Sequence, residues 1–301
     1  MKIRFNFKNI SGFTLIEIMV SVLVLALISS MIVALNSNSQ AKSQADLLQT
    51  KIFAGTIKNK LAQNMVGAWS FYEGTGSTIH DSSDYQNNGT ITGASWATSS
   101  SCIENNCLSF NGVSNGVVTF NAPVLTPSAM TVSFWWKRTG NAGGASTTYH
   151  HILRYLAGAS GSNANSFYIQ SAGDTAMFRL TINGGMINNY LYNLKINEWN
   201  HLVGIWDGQN IYGYVNGIKG SPTSASGVLT TGTAPLNIGR ASDYVVNGLV
   251  DEVSIYSTAY TVSQVQEQYL AGLNSLLNKK QISNEEYQQR IAELQTQIVQ
   301  K

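Results

Sequence analysis

The chain has 301 residues, enough for one large domain with appendages or for two modest ones. Only 11% of them are charged, the net charge is +2, and no Lys/Arg cluster forms the dense basic face that phosphate neutralisation needs, which argues against nucleic acid as a partner. Abundant Asn, Ser, Thr and Gly between short apolar runs suit a secreted, β-rich protein.

Lys2, Arg4 and Lys8 precede Ser11-Gly12, and Phe13 to Leu35 then runs almost wholly apolar with one charge, Glu17. Those 23 residues at 1.5 Å rise cover about 34 Å, enough to cross a hydrocarbon core of about 30 Å. The next basic residue is Lys42, so the positive-inside bias leaves the N-terminus in the cytoplasm and the rest outside. A cleaved signal peptide fits less well, because the run exceeds an ordinary h-region and lacks a small-x-small site behind it.

The segment Gly12-Phe13-Thr14-Leu15-Ile16-Glu17 resembles the type IV pilins and pseudopilins. The resemblance implies cleavage between Gly12 and Phe13 by a prepilin peptidase, methylation of the new amino group, and a helix that stays in the cytoplasmic membrane until the subunit joins other pilins in a surface filament. A carboxylate in lipid costs about 2 to 3 kcal/mol at midspan and persists only with a role. For Glu17 the resemblance supplies one, pairing with the amino terminus of a neighbouring subunit. Ala34 stands where many pilins have a helix-kinking proline. Ala41, Ala45, Leu48, Ile52 and Leu61 continue an apolar stripe through Asn36 to Met65, the pattern of a helix extending outward, with Gly55 a weak point.

From Val66 the period changes. The runs Val117 to Phe120, Met130 to Trp136, Phe167 to Ile169, Met177 to Ile182, His201 to Trp206 and Ile211 to Val215 predict strands. Asn88-Gly89, Asn111-Gly112, Asn115-Gly116, Asn183-Gly184, Asp207-Gly208, Asn216-Gly217 and Asn247-Gly248 predict the turns between them, since both residue types accept positive φ. About 205 residues to Ala271 suit one antiparallel sandwich with a sizeable core.

Within this stretch, Val66-Gly67-Ala68-Trp69-Ser70-Phe71, Leu108-Ser109-Phe110-Asn111-Gly112, Met130 to Trp136, Glu198-Trp199-Asn200-His201-Leu202-Val203, Leu236-Asn237-Ile238-Gly239-Arg240 and Gly248 to Tyr256 occur in order. Together they resemble the laminin-G-like branch of the concanavalin A-like lectin/glucanase fold. The resemblance implies a jelly roll whose first and last strands meet, with a short helix near Ser263 to Leu270. The fold class is thus mainly β with helical extensions: leader 1–12, transmembrane and assembly helix 13–65, antiparallel β-sandwich 66–271 and helical tail 272–301.

Cys102 and Cys107 enclose a short loop on the oxidising side of the membrane and predict a disulfide worth about 2 kcal/mol, with two free thiols as the alternative. Asp81, Asn87 and Asp251 fall in parts the lectin-like resemblance brings together and are the candidate oxygen ligands of one structural Ca²⁺. The alternative is that Asp81 caps a turn and Asp251 ties down the last strand. Trp96, Tyr149, Tyr155, Tyr190, Tyr192 and Tyr244 lie in loop-like surroundings and are candidates for stacking on sugar rings, whereas Trp69, Trp135, Trp136, Trp199 and Trp206 sit in strand patterns and read as core. His150-His151 reads as an exposed polar loop, with metal binding by the pair as the alternative.

Catalysis is not expected. Retaining glycosidases need two carboxyl groups about 5 Å apart, and Asp251-Glu252, the only adjacent acidic pair in the strand patterns, should point to opposite faces. His80, His150, His151 and His201 sit in no recognisable Ser or Cys motif. In the tail, Ser283 and Glu286 are spaced as a capping box, and Tyr287, Ile291, Leu294 and Ile298 form a stripe whose partner is either the N-terminal helix or another subunit. The leading function is a minor or tip pilin whose lectin-like domain binds a glycan or protein ligand. The alternatives are a structural major pilin or pseudopilin, and a pilin-anchored glycan hydrolase.

Overall fold

A computed structural model describes residues 64–112, 117–120, 127–144, 148–156, 165–230, 235–241 and 244–299. Gly12, Phe13, Glu17, Asn115-Gly116 and the N-terminal helix up to residue 63 lie outside them. Among the described residues no helix is long and apolar enough to cross a membrane.

Two antiparallel sheets are stacked. The first has nine strands, ordered Ile218–Lys219, Asn210–Val215, Asn200–Trp206, Met130–Arg138, Asn247–Tyr256, Cys107–Asn111 and Ser95–Ala97; Met65–Trp69 also pairs with Asn247–Tyr256, and Thr223–Ser224 with Asn210–Val215. The second has eight, ordered Gly185–Leu191, Thr175–Ile182, Asn165–Ala172, His150–Leu156, Leu236–Ile238, Val117–Phe120, Gly89–Thr92 and Thr78–Ile79. The first and last strands meet as the jelly-roll resemblance implies, with Ala68 opposite Ser254 and Trp69 opposite Val253.

The core lies between the sheets, built from alternate residues because successive side chains on a strand leave opposite faces. Ala176, Phe178, Leu180 and Ile182 enter it from one sheet; Phe134, Trp136, Leu202 and Trp206 enter it from the other. At Gly204 a Cβ would stand 2.4 Å from the Phe178 ring, so this strand has to be bare there for the ring to fit. Trp69, Trp135, Trp136, Trp199 and Trp206 are all buried.

Met130 to Trp136 and Asn200 to Trp206 are buried at every residue. Their second face is covered by the helix α1 (Val262–Asn278) and the chain leading into it, and a second helix, α2 (Asn284–Val299), follows. Thr261 opens α1 with a complete capping box to Gln264. Trp135 stacks on Tyr269 at 5.9 Å between ring centroids, and a Cβ on Gly272 would lie 2.2 Å from the Trp135 ring, so the helix rests on the sheet through a residue without a side chain. Ser283 accepts from the Glu286 amide at 3.1 Å, but the Glu286 carboxylate turns to Arg290, so only half of the predicted box forms on α2.

Several expectations need correction here. The helix predicted near Ser263 to Leu270 continues unbroken to Asn278, because Leu270, Leu273 and Leu276 extend its buried stripe past residue 271. The stripe of Tyr287, Ile291 and Leu294 is buried within the domain itself rather than awaiting an N-terminal helix or another subunit: the buried Arg290 ties α2 to Glu198 and to the Trp199 carbonyl of the strand connection. Met65 opens a strand, and Asn247-Gly248 opens another rather than forming a turn. Asn183-Gly184 and Asn216-Gly217 are turns with positive φ at both residues, as predicted.

Candidate functional site

The predicted stacking residues divide by register. On Gly185–Leu191, Asn189 and Leu191 turn inward, so Tyr190 turns out and is 48% exposed; Tyr192, just past the strand, is 61% exposed. Their rings stack at 6.5 Å and 28°. Tyr149 is also exposed. Tyr155 is fully buried in the core, and Trp96 is half-buried with its indole donating to the Gly76 carbonyl at 2.9 Å. The Tyr244 side chain lies outside what is described.

Tyr190 and Tyr192 line a groove of about 700 Å³ at the open edge of the sandwich, a volume within the ~300–1,000 Å³ of ligand clefts. The groove runs between the edge strands of the two sheets and is closed at one side by α2. Asn216, Lys219 and Ser221 come from the hairpin of the nine-stranded sheet, Asn193 and Lys195 from the loop after Leu191, and Glu293 and Thr296 from α2. Asn189 clips the two edges beneath it, its amide donating to the Ser221 carbonyl at 2.9 Å and the Thr223 hydroxyl at 3.0 Å. Gly213 permits that approach, since a Cβ there would meet Leu191 at 2.6 Å and the Asn189 Oδ1 at 2.7 Å. Lys219 lies 3.7 Å over the Tyr212 ring, and Lys195 faces Glu293 at 3.9 Å. Two aromatic faces beside amides, hydroxyls and charges can hold an amphipathic ring such as a sugar.

Asp81 and Asn87 share one turn. One Asp81 oxygen accepts from the amides of Ala68 and Ser83, the other from the Ser83 hydroxyl and the Asn87 amide. Asp251 accepts from Ile103 and Glu104 through one oxygen and from Glu252 through the other. Among the described residues its ligating neighbours are Cys102 and Cys107, not Asp81. Those two sulfurs form the predicted disulfide and so have no thiolate to offer. The disulfide loop is in turn gripped by α1, with Lys279 donating to the Ser99, Cys102 and Glu104 carbonyls.

Two constellations escaped sequence reasoning. A bulge follows Asp251, and Glu252 sits at φ 50°, so the regular alternation of the strand is broken at this pair. Burial raises Asp251 to about 7. It raises Glu252 to about 8, with Asp251 and Glu104 adding to the shift. Across the sheet, Ser133 meets the His201 Nε2 at 2.9 Å and donates to Gln268 of α1 at 2.9 Å. Ser133, His201, Gln268 and Glu252 line one cavity of about 310 Å³ under α1. With its single proton given to Gln268, the Ser133 hydroxyl can only accept from His201, the reverse of nucleophile activation. Nδ1 of His201 has no partner, and burial lowers the ring to about 3. No spacing rule joins residues 133 and 201; their strands are paired only by the sheet. The His150-His151 loop expectation is also corrected, since both begin the strand His150–Leu156 and His150 is fully buried.

The family model of the concanavalin A-like lectin/glucanases superfamily matches residues 111–266. The chain belongs to that superfamily. The model of the prokaryotic N-terminal methylation motif matches residues 7–33, which implies a membrane precursor, prepilin peptidase processing and other pilins as partners. No curated protein sequence matches the chain. Among solved structures, the lectin-like domain is similar to the binding domain of botulinum neurotoxin serotype G (TM-score 0.56, 15% identity, 70% of this chain and 51% of that one). It is also similar to the binding domain of Paraclostridial Mosquitocidal Protein 1 (0.56, 16%, 71% and 53%). A third similar structure is domain 4 of AbnA, a GH43 extracellular arabinanase from Geobacillus stearothermophilus, in complex with arabinotriose (0.53, 21%, 68% and 97%). The chain spans about half the length of the two toxin domains. At these identities the likeness establishes the fold of the lectin-like domain.

Proposed function

We propose that this protein is a minor or tip pilin whose lectin-like domain is a non-catalytic adhesin for carbohydrate, bound in the groove of Tyr190 and Tyr192. The observation that carries it is the pair of exposed, mutually stacked tyrosines on a groove of about 700 Å³. The methylation motif supports processing between Gly12 and Phe13 and assembly through Glu17, and the arabinotriose complex of a similar fold supports a sugar as the ligand. Against catalysis, the Ser133–His201 pair lacks an orienting acid at Nδ1 and lies beneath a helix.

The test is a glycan array probed with the full chain in detergent. Tyr190→Ala with Tyr192→Ala is expected to abolish binding while leaving stability within about 0.5 kcal/mol, since both are surface positions. Undiminished binding by that variant would refute the groove, and release of reducing ends from any glycan would revive the hydrolase.

A further inference from the structure

The strands of the eight-stranded sheet contain no Asp or Glu at all, yet they carry two arginines, Arg154 and Arg179. Both point away from the core, as the register requires: Arg154 lies between the core residues Leu153 and Tyr155, and Arg179 between Phe178 and Leu180. Pairing aligns them in one row across four strands, Asn237–Arg154–Tyr168–Arg179, with Asn188 continuing it on the edge strand. The adjoining row is Gln170, Met177 and Tyr190, so the outward face runs directly to the tyrosine groove.

Arg179 is held in place. Its Nε donates to the Asn188 side-chain amide oxygen at 2.5 Å, and its guanidinium lies 4.7 Å over the Tyr168 ring, which also stacks on the His151 ring at 5.5 Å. Among the described residues its terminal nitrogens meet the thioethers of Met186 and Met177, at 3.5 and 3.9 Å. A guanidinium offers five donors in a fixed fork; one is committed here to a strong bond, and sulfur is a weak acceptor for the rest. A cation that is stacked, oriented and bonded to neutral groups, with a second guanidinium in the same row, matches a planar or tetrahedral anion. His151 adds no competing charge at neutral pH, its ring lowered to about 4 by burial and by the two arginines.

We infer that this sheet face binds the acidic group of an anionic oligosaccharide, a uronate carboxylate or a sulfate ester, on Arg179 and Arg154 while the sugar chain extends toward Tyr190. The inference rests on the carbohydrate reading above and narrows it to acidic glycans.

The test presents the full chain in detergent, at about 0.15 M salt, with four immobilised probes: oligogalacturonate, a heparin oligosaccharide, a neutral arabino-oligosaccharide and duplex DNA. The two acidic sugars should bind at least about tenfold more tightly than the neutral one, the worth of a charge-assisted pair, and the carboxylated and sulfated arms identify the anion. Arg179→Met, which keeps the stem over Tyr168, should reduce acidic binding to the neutral level with an unchanged melting temperature, and Arg154→Met should do so independently. Equal binding of acidic and neutral sugars, or normal acidic binding by folded Arg179→Met, overturns the inference and leaves the groove intact. DNA bound as tightly as the acidic sugars also overturns it, by reducing the face to a general polyanion surface. No sugar bound at all removes both this inference and the adhesin reading.

Discussion

The outer faces of the two sheets have opposite fates. On the nine-stranded sheet, Ser133, Trp135, His201, Tyr214 and Tyr256 point away from the sandwich core, and all are buried under α1 or against the chain leading into it. On the eight-stranded sheet, Arg154, Arg179 and Asn188 point the same way, and no described helix covers them. Pleating is identical in both, so the residues themselves decide. Large aromatic faces lower their free energy only when a second apolar layer covers them, whereas guanidinium and amide groups lose more by desolvation than packing returns. The first face became a second core and the second remained a surface.

The contrast can be broken most forcefully at Trp135. Trp135→Ala should cost about 3–5 kcal/mol in denaturant unfolding, as deletion of a buried ring does, and hydrogen exchange should show α1 opening. A change below about 1 kcal/mol would mean that the helix is not held by this face. Gly272→Ala should cost about 1–3 kcal/mol by overpacking against the same ring; a neutral outcome in the same unfolding assay would show that α1 shifts freely on the sheet.

A pH series sharpens the picture with a smaller effect. The buried acids Asp251 and Glu252 have pKa values raised from the ordinary 3.8 and 4.5 to about 7 and 8, so the folded state binds protons the unfolded chain does not, and their contribution to stability falls as pH rises from about 4 to about 8. His150, His151 and His201 are lowered to about 4, 4 and 3, so below about 6.5 the unfolded chain takes up protons the folded one excludes, and stability falls again. Three histidines outweigh two acids, and thermal melts should peak near pH 6.5. A monotonic rise up to pH 9 would contradict the burial of the acids. The smallest effect concerns metal. Because the Asp81 and Asp251 oxygens accept from backbone amides and a hydroxyl, a chelator should leave the melting temperature unchanged, and a drop of several degrees would restore the three-ligand calcium site.

Much of the sandwich was legible because its strands alternate. Met177 to Ile182 sets Phe178, Leu180 and Ile182 at alternate, core-facing positions, Ile211 and Val215 do the same on either side of Gly213, and the Asn-Gly pairs at 183 and 216 mark turns that need positive φ. The strand His150–Leu156 was missed because two histidines and an arginine look like a loop until the neighbouring strands supply a buried and an exposed side for them. In the site, Tyr190 and Tyr192 were legible as exposed aromatics. Their groove was not, since Lys219, Ser221 and Glu293 reach it from another sheet and a helix.

Sequence by itself determined the methylation motif, the apolar run behind it, the disulfide pair and the β pattern of the domain, all of which are encoded by neighbours in the chain. Tertiary structure alone decided which sheet face is covered, how the bulge at Asp251 turns Glu252, that Ser133 meets His201, and that Arg154 and Arg179 share a row. Those outcomes depend on register between strands tens of residues apart, and no local period carries that information.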